Sequence, residues 1–567
     1  MALAEDTAPA AAPAAARDRL RHAPAAALAL ILLVSAGLRL WGIRQGLPYA
    51  YNLDERAHFV PHAVAMTSGD LNPGYFINPP AFTYMIAAWL SVLHLGGDVQ
   101  QLFADDPARV FLDARVLTLL LSVGAVAATY AAGRAFFGRG AGLLAAAVLA
   151  LAFLPVFYSR QALNDGPAVL PCALGLWAAA AILHGGGRKA YAAAGACVGF
   201  AASMKYSDGV IVIAPVVAAL VAPGRDLRRI LTGLAVAAGA AIAVVIVTNP
   251  YMFTDWATFT NDLDRQRKFA SGDALLGQPE RNGWVYYARS IGWALGVVPA
   301  LAAVAGGAIL LLRRRREAWI FGALVILFWL YMGSQHRFYA RWMLPLYPAL
   351  AILAGYAAMQ LRRVPLIALA SIVLLVPMAI PTIRNAAVMS REDTRTQTRD
   401  WLVAHVPAGT KVVFEPIAPT EWYGVTPGGG TKADPARQWQ RYNRSQAEIA
   451  ELAKSYRGAR RTANFQNYER TLTPKLIDVY RRDGFCWVVS GSTQYGRADA
   501  EPQRAPEALK YYRALKRQAD VVFTASPLRE GRSLPRYQVD RSFNFADPAY
   551  ERPGPVMKVY RLRNCGA

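Results

Sequence analysis

Long apolar segments separated by short polar links occupy the first two-thirds of the chain. The first apolar segment covers residues 25–44. Further segments follow at 113–134, 141–158, 167–184, 189–203, 207–222, 228–249, 288–312, 318–333, 341–360 and 364–383. A straight helix needs ~20 apolar residues to cross a bilayer. The pattern therefore predicts an α-helical membrane protein of about eleven spans, some of them short.

The short apolar segment 81–97 decides the topology. The Arg- and Lys-rich links lie at 134–139, 188–189, 225–229, 313–316 and 362–363. If 81–97 does not cross the membrane, all of these links are cytoplasmic; if it crosses, all of them lie outside. The positive-inside rule favours the first arrangement. We therefore expect 45–112 to form one long outer loop with two interfacial helices, and the N-terminus to be cytoplasmic.

The pattern changes after about residue 385, where apolar runs shorten and Arg, Tyr and Pro become frequent. Helices are predicted at 394–405, 474–482 and 505–518, and strands at 411–415, 486–490, 520–524 and 556–563. This alternation is typical of a small α/β domain. The Gly-rich loop at 423–434 lacks a following Lys-Ser/Thr, so it does not predict a phosphate-binding loop. The loop 250–287, rich in Trp, Tyr and charge, is also placed outside.

The predicted division is thus a disordered cytoplasmic tail at 1–24, a membrane domain at 25–384 and an extracytoplasmic domain at 385–567. Hydrophobic residues make up 54% of the chain and the formal net charge is +23. Much of the charge lies in the basic links, so it indicates contact with anionic lipid and not with nucleic acid. Cys172 and Cys197 fall in apolar segments, whereas Cys486 and Cys565 could pair in an oxidising space.

Polar side chains gather at the outer ends of the predicted spans. The acid pair Asp54-Glu55 comes directly after the first span, and His58 follows one turn later. The predicted topology brings one more acid and several cations to the same membrane face: Arg115, Asp165, Lys205, Arg337 and Arg341. Carboxylates and cations together at one membrane face suit an amphipathic lipid that carries a phosphate.

These residue types fit the transfer of a sugar from a lipid phosphate. The extracytoplasmic space holds little nucleotide-sugar, so the donor would be a sugar on a polyprenyl phosphate. The acceptor hydroxyl needs a base, and Asp54 is our candidate, with Glu55 helping it by like-charge repulsion or by orienting a neighbour. The phosphate leaving group needs cations at the membrane surface, for which the candidates are Arg115, Lys205, Arg337 and Arg341.

Each of these residues also has a purely structural interpretation. The acid pair could be a solvated turn or a helix N-cap, and Asp165 precedes a Gly-Pro pair, where an N-cap is equally expected. Arg115 and Arg341 could extend towards the membrane surface from the ends of their spans. For His58, a simple hydrogen-bonding role is the more frequent one.

Several motifs resemble the C-type (GT-C) glycosyltransferases that depend on polyprenyl phosphates. They are Asp54-Glu55 after the first span, Asn78-Pro79-Pro80, Ala-Arg-Val-Leu at 114–117, Gly-Arg-Ala-Phe-Phe-Gly at 133–138, Ser-Arg-Gln-Ala-Leu-Asn-Asp-Gly-Pro at 159–167 and Arg-Trp-Met-Leu-Pro-Leu-Tyr-Pro at 341–348. In order and spacing they resemble the protein O-mannosyltransferase and lipid A aminoarabinose transferase superfamily, and the resemblance covers residues 25–385.

The resemblance implies an inverting hexosyl- or pentosyltransferase in which Asp54 is catalytic, Asp165 is a second active-site acid and Arg115 is functionally important. It implies no cofactor, and a divalent metal shared by the two aspartates is not predicted. Two positions near the donor differ from the family: Asn78 stands where relatives carry Glu or His, and Ala81 where some carry Lys. The sugar is therefore expected to differ from the well-known donors.

The predicted enzyme is a multi-pass protein of a bacterial inner (plasma) membrane. Its partners would be the lipid-linked sugar, membrane lipids and an acceptor that is a protein, a lipid or a glycan. The alternative function is a transporter or flippase of a lipid-linked or polar substrate, although the sequence lacks the internal repeat typical of such proteins. A membrane-anchored binding or sensor protein that works through residues 385–567 is a third hypothesis, for which the Asp54 loop would be dispensable.

Overall fold

A computed structural model describes residues 14–224, 226–272, 276–422, 439–442 and 468–566. Its α-helices in the part that precedes the C-terminal domain are Ala14–Leu40, Val60–Met66, Ala81–Leu93, Val99–Asp105, Pro107–Phe137, Arg139–Leu151, Phe153–Tyr158, Val169–Leu183, Arg188–Met204, Ile213–Val221, Leu227–Thr248, Tyr251–Thr254, Trp256–Ser271, Gly283–Ala294, Val297–Leu312, Glu317–Gly333, Tyr347–Ala358 and Val364–Met389. Tighter 3-10 turns cover Tyr206–Val212 and Ala340–Leu346, and a π-helical turn covers Glu55–Phe59.

A helix covers each of the apolar segments that the sequence predicts to be a span. Four described helical stretches are long and apolar enough to cross a membrane: Ala23–Leu40, Pro107–Phe137, Leu227–Thr248 and Val364–His405, the last of which includes the short break after Met389. A fifth is reached if the pair Gly283–Ala294 and Val297–Leu312, bent by 115°, is one span. The remaining apolar helices are shorter, so the number of eleven spans stays a prediction.

Two segments outside the predicted spans contain helical residues. The first helix begins at Ala14, inside the segment 1–24 for which a disordered tail is predicted, and its Ala-rich sequence favours a helix. The loop 250–287, which links two predicted spans, contains the helix Trp256–Ser271. The Asp255 side chain caps that helix by accepting the backbone N–H of Thr258.

Glycines allow some of the membrane helices to pack closely. Gly195 and Gly199 in helix Arg188–Met204 face Ala237 and Ala241 in helix Leu227–Thr248. A Cβ added at either glycine would overlap the backbone carbonyl oxygen of the facing alanine. Small residues four apart let two helix backbones approach in this way in membrane proteins.

The C-terminal domain is an α/β unit, as predicted. Its strands are β1 (Lys411–Phe414), β2 (Gln440–Arg441), β3 (Trp487–Gly491), β4 (Ala519–Ala525) and β5 (Met557–Leu562), in the order β2-β1-β3-β5-β4. β1 runs parallel to β2 and β3, whereas β5 is antiparallel to β3 and β4. The helices are Thr394–His405, Leu476–Arg482, Ser492–Ala500, Pro506–Gln518 and Val539–Phe543. The Gly-rich segment 423–434 lies outside the described residues.

A disulfide and a short junction fix this domain. Cys486 and Cys565, which the sequence left open as a pair, form a disulfide with their Cα atoms 5.5 Å apart. The last membrane helix, Val364–Met389, leads into Thr394–His405 after only four residues. At this junction Asp393 accepts the Gln45 side-chain amide at 2.9 Å and pairs with Arg395 at 2.7 Å. The domain is thus tied both to the outer loop and to the last span.

Candidate functional site

A cavity of about 1660 Å³ lies where the segment 45–112, the neighbouring ends of the membrane helices and the C-terminal domain meet. Its lining combines apolar side chains, such as Phe157, Phe328 and Met332, with charged ones. Of the predicted site residues, those that line it are Asp54, His58, Asn78, Asp165, Lys205 and Arg341. The structure therefore gathers side chains that are almost 300 positions apart in the chain.

Asp54 begins the π-helical turn Glu55–Phe59 at the cavity wall. Its backbone N–H donates to Asn52 Oδ1 at 3.0 Å, and Asn52 donates in turn to Gln161 Oε1 at 2.6 Å. The Asp54 carboxylate itself is 33% exposed and accepts a hydrogen bond from Arg341 Nη2 at 2.9 Å. The turn is thus held by its backbone, while the carboxylate remains accessible from the cavity.

Arg341 bridges the two aspartates of the cavity. Its Nε atom lies 3.7 Å from Asp165 Oδ2, and Lys205 Nζ lies 2.5 Å from Asp165 Oδ1. Asp165 is 5% exposed, so its charge is held by these two cations and not by water. The guanidinium of Arg341 also lies near the Tyr158 ring, 5.7 Å from its centroid. Two cations and two carboxylates thus alternate along one wall.

Glu55 and Arg115 form a separate buried pair that does not line the cavity. Arg115 Nε and Nη2 donate to the two Glu55 carboxylate oxygens at 2.7 and 2.8 Å, and both side chains are almost fully buried. Arg115 Nη1 also donates to the carbonyl oxygens of Ile43 and Gln45. Glu55 further accepts the backbone N–H of Ala162 at 2.8 Å. The pair therefore joins the end of the first span, the Asp54 turn and the Ala162 segment.

His58 and Asn78 meet around Tyr75. The His58 ring stacks on the Tyr75 ring with centroids 4.9 Å apart, and Asn78 Nδ2 donates to the Tyr75 hydroxyl at 3.0 Å. Burial lowers the pKa of His58, and nearby Asp54 only partly opposes this. His58 is therefore expected to be neutral near pH 7. Arg337 does not line the cavity; its guanidinium lies 4.0 Å from the centroid of the Phe269 ring.

Sequence reasoning missed several cavity residues, of which Asp540 is the clearest. Asp540 belongs to none of the motifs recognised in the sequence, and it lies 486 positions after Asp54 in the chain. Asp540 is 6% exposed, lines the cavity from the C-terminal domain, and accepts the backbone N–H of Ala340 at 3.2 Å. Burial raises the pKa of its carboxyl to about 7. Tyr158 had a weak signal, since it directly precedes the 159–167 motif.

No cluster of three or more His, Cys, Asp or Glu side chains with metal-site geometry occurs within the described ranges. Chemically, the wall that holds Asp54 can do two things. The partly exposed Asp54 carboxylate can take a proton from a hydroxyl group, and Arg341 and Lys205 can bind an anion such as a phosphate. The apolar part of the lining can accommodate a hydrocarbon chain at the same time.

Comparisons with known proteins bear on the fold. Residues 99–253 match the family described as dolichyl-phosphate-mannose-protein mannosyltransferase. The oligosaccharyltransferase of Archaeoglobus fulgidus in its apo form is similar to this chain with a TM-score of 0.51 at 13% identity, covering 89% of this chain and 74% of that one. A sequence comparison with curated proteins gives no significant match.

Two further solved structures show weaker likeness. ArnT from Cupriavidus metallidurans bound to undecaprenyl phosphate gives a TM-score of 0.49 at 14% identity, covering 98% of this chain and all of that one. The protein O-mannosyltransferase complex of S. cerevisiae bound to the sugar donor gives a TM-score of 0.34 at 19% identity, covering 44% of this chain and 36% of that one.

Proposed function

The chain has the GT-C fold of the C-type glycosyltransferases, and from this premise we propose that it is an inverting transferase of a polyprenyl-phosphate-linked monosaccharide. The acceptor is a hydroxyl group on the extracytoplasmic face. The observation that carries the proposal is the half-buried Asp54 carboxylate, paired with Arg341, in an amphipathic cavity that Lys205 also lines. The family that residues 99–253 match points the same way, since its description names mannose on dolichyl phosphate.

The reaction is a single displacement at the anomeric carbon. The acceptor oxygen forms the new bond to this carbon as the bond to the donor phosphate oxygen breaks, which inverts the configuration. Asp54 takes the proton of the acceptor hydroxyl, and the polyprenyl phosphate leaves with the bonding electron pair. The charge that develops on the phosphate is stabilised by Arg341 and Lys205.

Donor binding would rearrange the ion pairs around Arg341. In the structure, this guanidinium is shared between Asp54 and Asp165. A phosphate in the cavity competes for it with a larger negative charge, so Arg341 moves its hydrogen bond from Asp54 to the phosphate. The Asp54 carboxylate is then available to the acceptor, while Asp165 keeps Lys205 in place through the 2.5 Å contact. The base is therefore released when the donor is present.

The membrane orientation is part of the proposal. The basic links favour a cytoplasmic N-terminus and an outer face that carries the cavity. The disulfide between Cys486 and Cys565 supports an oxidising surrounding for the C-terminal domain. Such a location also explains the use of a lipid-linked donor, which does not depend on cytoplasmic nucleotide-sugars.

The test is sugar transfer by the purified protein from a panel of polyprenyl-phosphate monosaccharides, with release of lipid phosphate as the readout. Asp54→Asn keeps the size of the side chain but cannot take a proton, so turnover should fall by about 10²- to 10⁴-fold. Its binding of the donor should stay equal or improve, because Arg341 loses a competing carboxylate. The matched control is Asp70→Asn, an exposed acid of the same outer loop that does not line the cavity.

Unchanged turnover in Asp54→Asn would remove this residue from the mechanism. Movement of an intact donor lipid across a vesicle membrane, without release of its phosphate, would instead establish the transporter alternative.

A further inference from the structure

The backbone around Arg341 is held by acids that come from the C-terminal domain. Arg341 is the second residue of the 3-10 turn Ala340–Leu346, and Ala340 just before it is fully buried. The backbone N–H of Ala340 donates to Asp540 Oδ2 at 3.2 Å. The same oxygen accepts the Tyr286 hydroxyl, which comes from helix Gly283–Ala294. One carboxylate of the C-terminal domain thus joins two elements of the membrane domain.

A second acid of this domain reaches the same segment through a glutamine. Glu501, 6% exposed, accepts the backbone N–H groups of Gly277 and Gln278 at 2.7 and 3.2 Å. The side chain of Gln278 then donates to the carbonyl oxygen of Phe338 at 2.7 Å. The segment 338–341 is therefore held on one side by Asp540 and on the other by Glu501 acting through Gln278.

Further contacts fix the segment that follows Asp540 on the membrane domain. Asn385 Nδ2 donates to the carbonyl oxygen of Asn544 at 2.9 Å, and Arg384 donates to that of Ala546. Both donors lie in the last membrane helix, and both acceptors follow directly after helix Val539–Phe543. Asp540 has no cation partner among the ion pairs of the described residues. Its carboxylate is therefore not used to neutralise a charge but to accept hydrogen bonds.

We propose that the C-terminal domain positions Arg341 for its contact with the donor phosphate. Asp540 and Glu501 are the positioning residues, because they hold the backbone of the segment 338–341. Neither acid contacts the reacting atoms. They fix the backbone from which the Arg341 side chain extends between Asp54 and Asp165. The proposal rests on the proposed function only for the identity of the ligand; the positioning itself is a property of the unliganded protein.

The first test is hydrogen exchange of the full-length protein without ligand. Asp540→Ala removes both acceptor bonds, so the amides of residues 338–346 should exchange at least about tenfold faster. Asp540→Asn keeps an oxygen that accepts from Ala340 and Tyr286, so it should restore slow exchange. Glu530→Ala, an exposed acid of the same domain outside the cavity lining, is the control and should leave exchange unchanged.

The second test is binding of undecaprenyl phosphate as the probe. A displaced Arg341 should weaken binding by about 10- to 100-fold in Asp540→Ala, with little effect in Asp540→Asn. In an Arg341→Gln background, Asp540→Ala should cause no further loss, because its effect passes through Arg341. A purely structural role would instead give losses that multiply in the double variant.

Unchanged exchange in Asp540→Ala, or multiplying losses in the double variant, would overturn the positioning role. Faster exchange together with no binding of undecaprenyl phosphate by the wild type would support the positioning role and refute the proposed function. The two ideas therefore fail in different ways.

Discussion

The buried pair of Glu55 and Arg115 offers the sharpest prediction, because the predicted topology and the structure give Arg115 different tasks. Its place at the outer end of a predicted span makes it a candidate ligand of the donor phosphate. In the structure its guanidinium is engaged by Glu55 and by the carbonyl oxygens of Ile43 and Gln45, away from the cavity. We predict that Arg115→Leu acts through stability and through the position of the Asp54 turn.

The magnitude follows from what the substitution leaves behind. Arg115→Leu removes both hydrogen bonds to Glu55 and leaves a fully buried carboxylate without a cation. Breaking a buried ion pair by removing one partner costs about 3 to 5 kcal/mol. Glu55→Gln in the same protein removes the uncompensated charge, so the double variant should regain at least about 1 kcal/mol relative to Arg115→Leu. The pair is therefore coupled.

The assay is thermal unfolding in detergent, combined with transfer kinetics. The control is Arg109→Leu in the same helix, whose partner is Asp113 and whose side chain is 58% exposed; it should cost less than about 1 kcal/mol. If Arg115→Leu unfolds at the control's temperature and only raises the donor KM, the structural interpretation is refuted. Arg115 would then have to reach the phosphate in a conformation that differs from this one.

Three further predictions concern stability. Burial raises the pKa of Glu415 from 4.5 to about 8, so the stability that this carboxyl contributes is fully present below pH 4.5 and is lost as the pH rises through about 8. Over this window the wild type should lose up to about 5 kcal/mol of unfolding free energy relative to Glu415→Gln. Unfolding is followed by the fluorescence of the buried Trp422 and Trp439, and parallel pH profiles of the two proteins would contradict the prediction. Cys565→Ser removes a disulfide that links residues 79 positions apart, so the unfolding free energy of the C-terminal domain should fall by about 2 to 4 kcal/mol and no longer depend on reductant. An unshifted unfolding transition would count against the bond. Gly195→Ala should lower the unfolding free energy by about 1 to 3 kcal/mol, because the added Cβ overlaps the backbone of Ala237. The control Gly239→Ala, whose added Cβ meets open space, should leave the unfolding free energy unchanged. Equal effects of the two substitutions would refute the close packing.

Much of the fold could be predicted from the sequence because it depends on local periodicity. The helix Thr394–His405 is found with the predicted bounds, and β3, β4 and β5 lie within two residues of their predicted positions. The helix Ser492–Ala500 was missed, since its polar composition carries no apolar stripe. The two-residue strand β2 is too short to give a pattern. Local signals thus missed elements that lack an apolar stripe or are too short to show one.

The candidate site was predictable only as far as topology brings span ends together. The outer-face rule gathered Asp54, Asp165, Lys205 and Arg341, which do share one cavity wall. It could not separate them from Arg115, because a residue at a span end can point towards the cavity or into the protein. That choice depends on the Glu55 side chain, which lies 60 positions earlier in the chain. Asp540 was out of reach for the same reason, since its role is defined by contacts and not by neighbours in sequence.

The short junction after the last span has a consequence for which acceptors can reach the cavity. With four residues between the helices, and with Asp393 bound to Gln45 and Arg395, the C-terminal domain has no tether on which it could swing outwards. The position of the domain's side of the cavity relative to the end of the last span is therefore fixed by these contacts. Under the proposed function, a bulky acceptor has to bring its hydroxyl group to this position on a protruding loop, an unfolded segment or a lipid that already resides in the bilayer. In that case an acceptor is first selected by whether its hydroxyl group can reach the cavity, before any side chain recognises its chemistry.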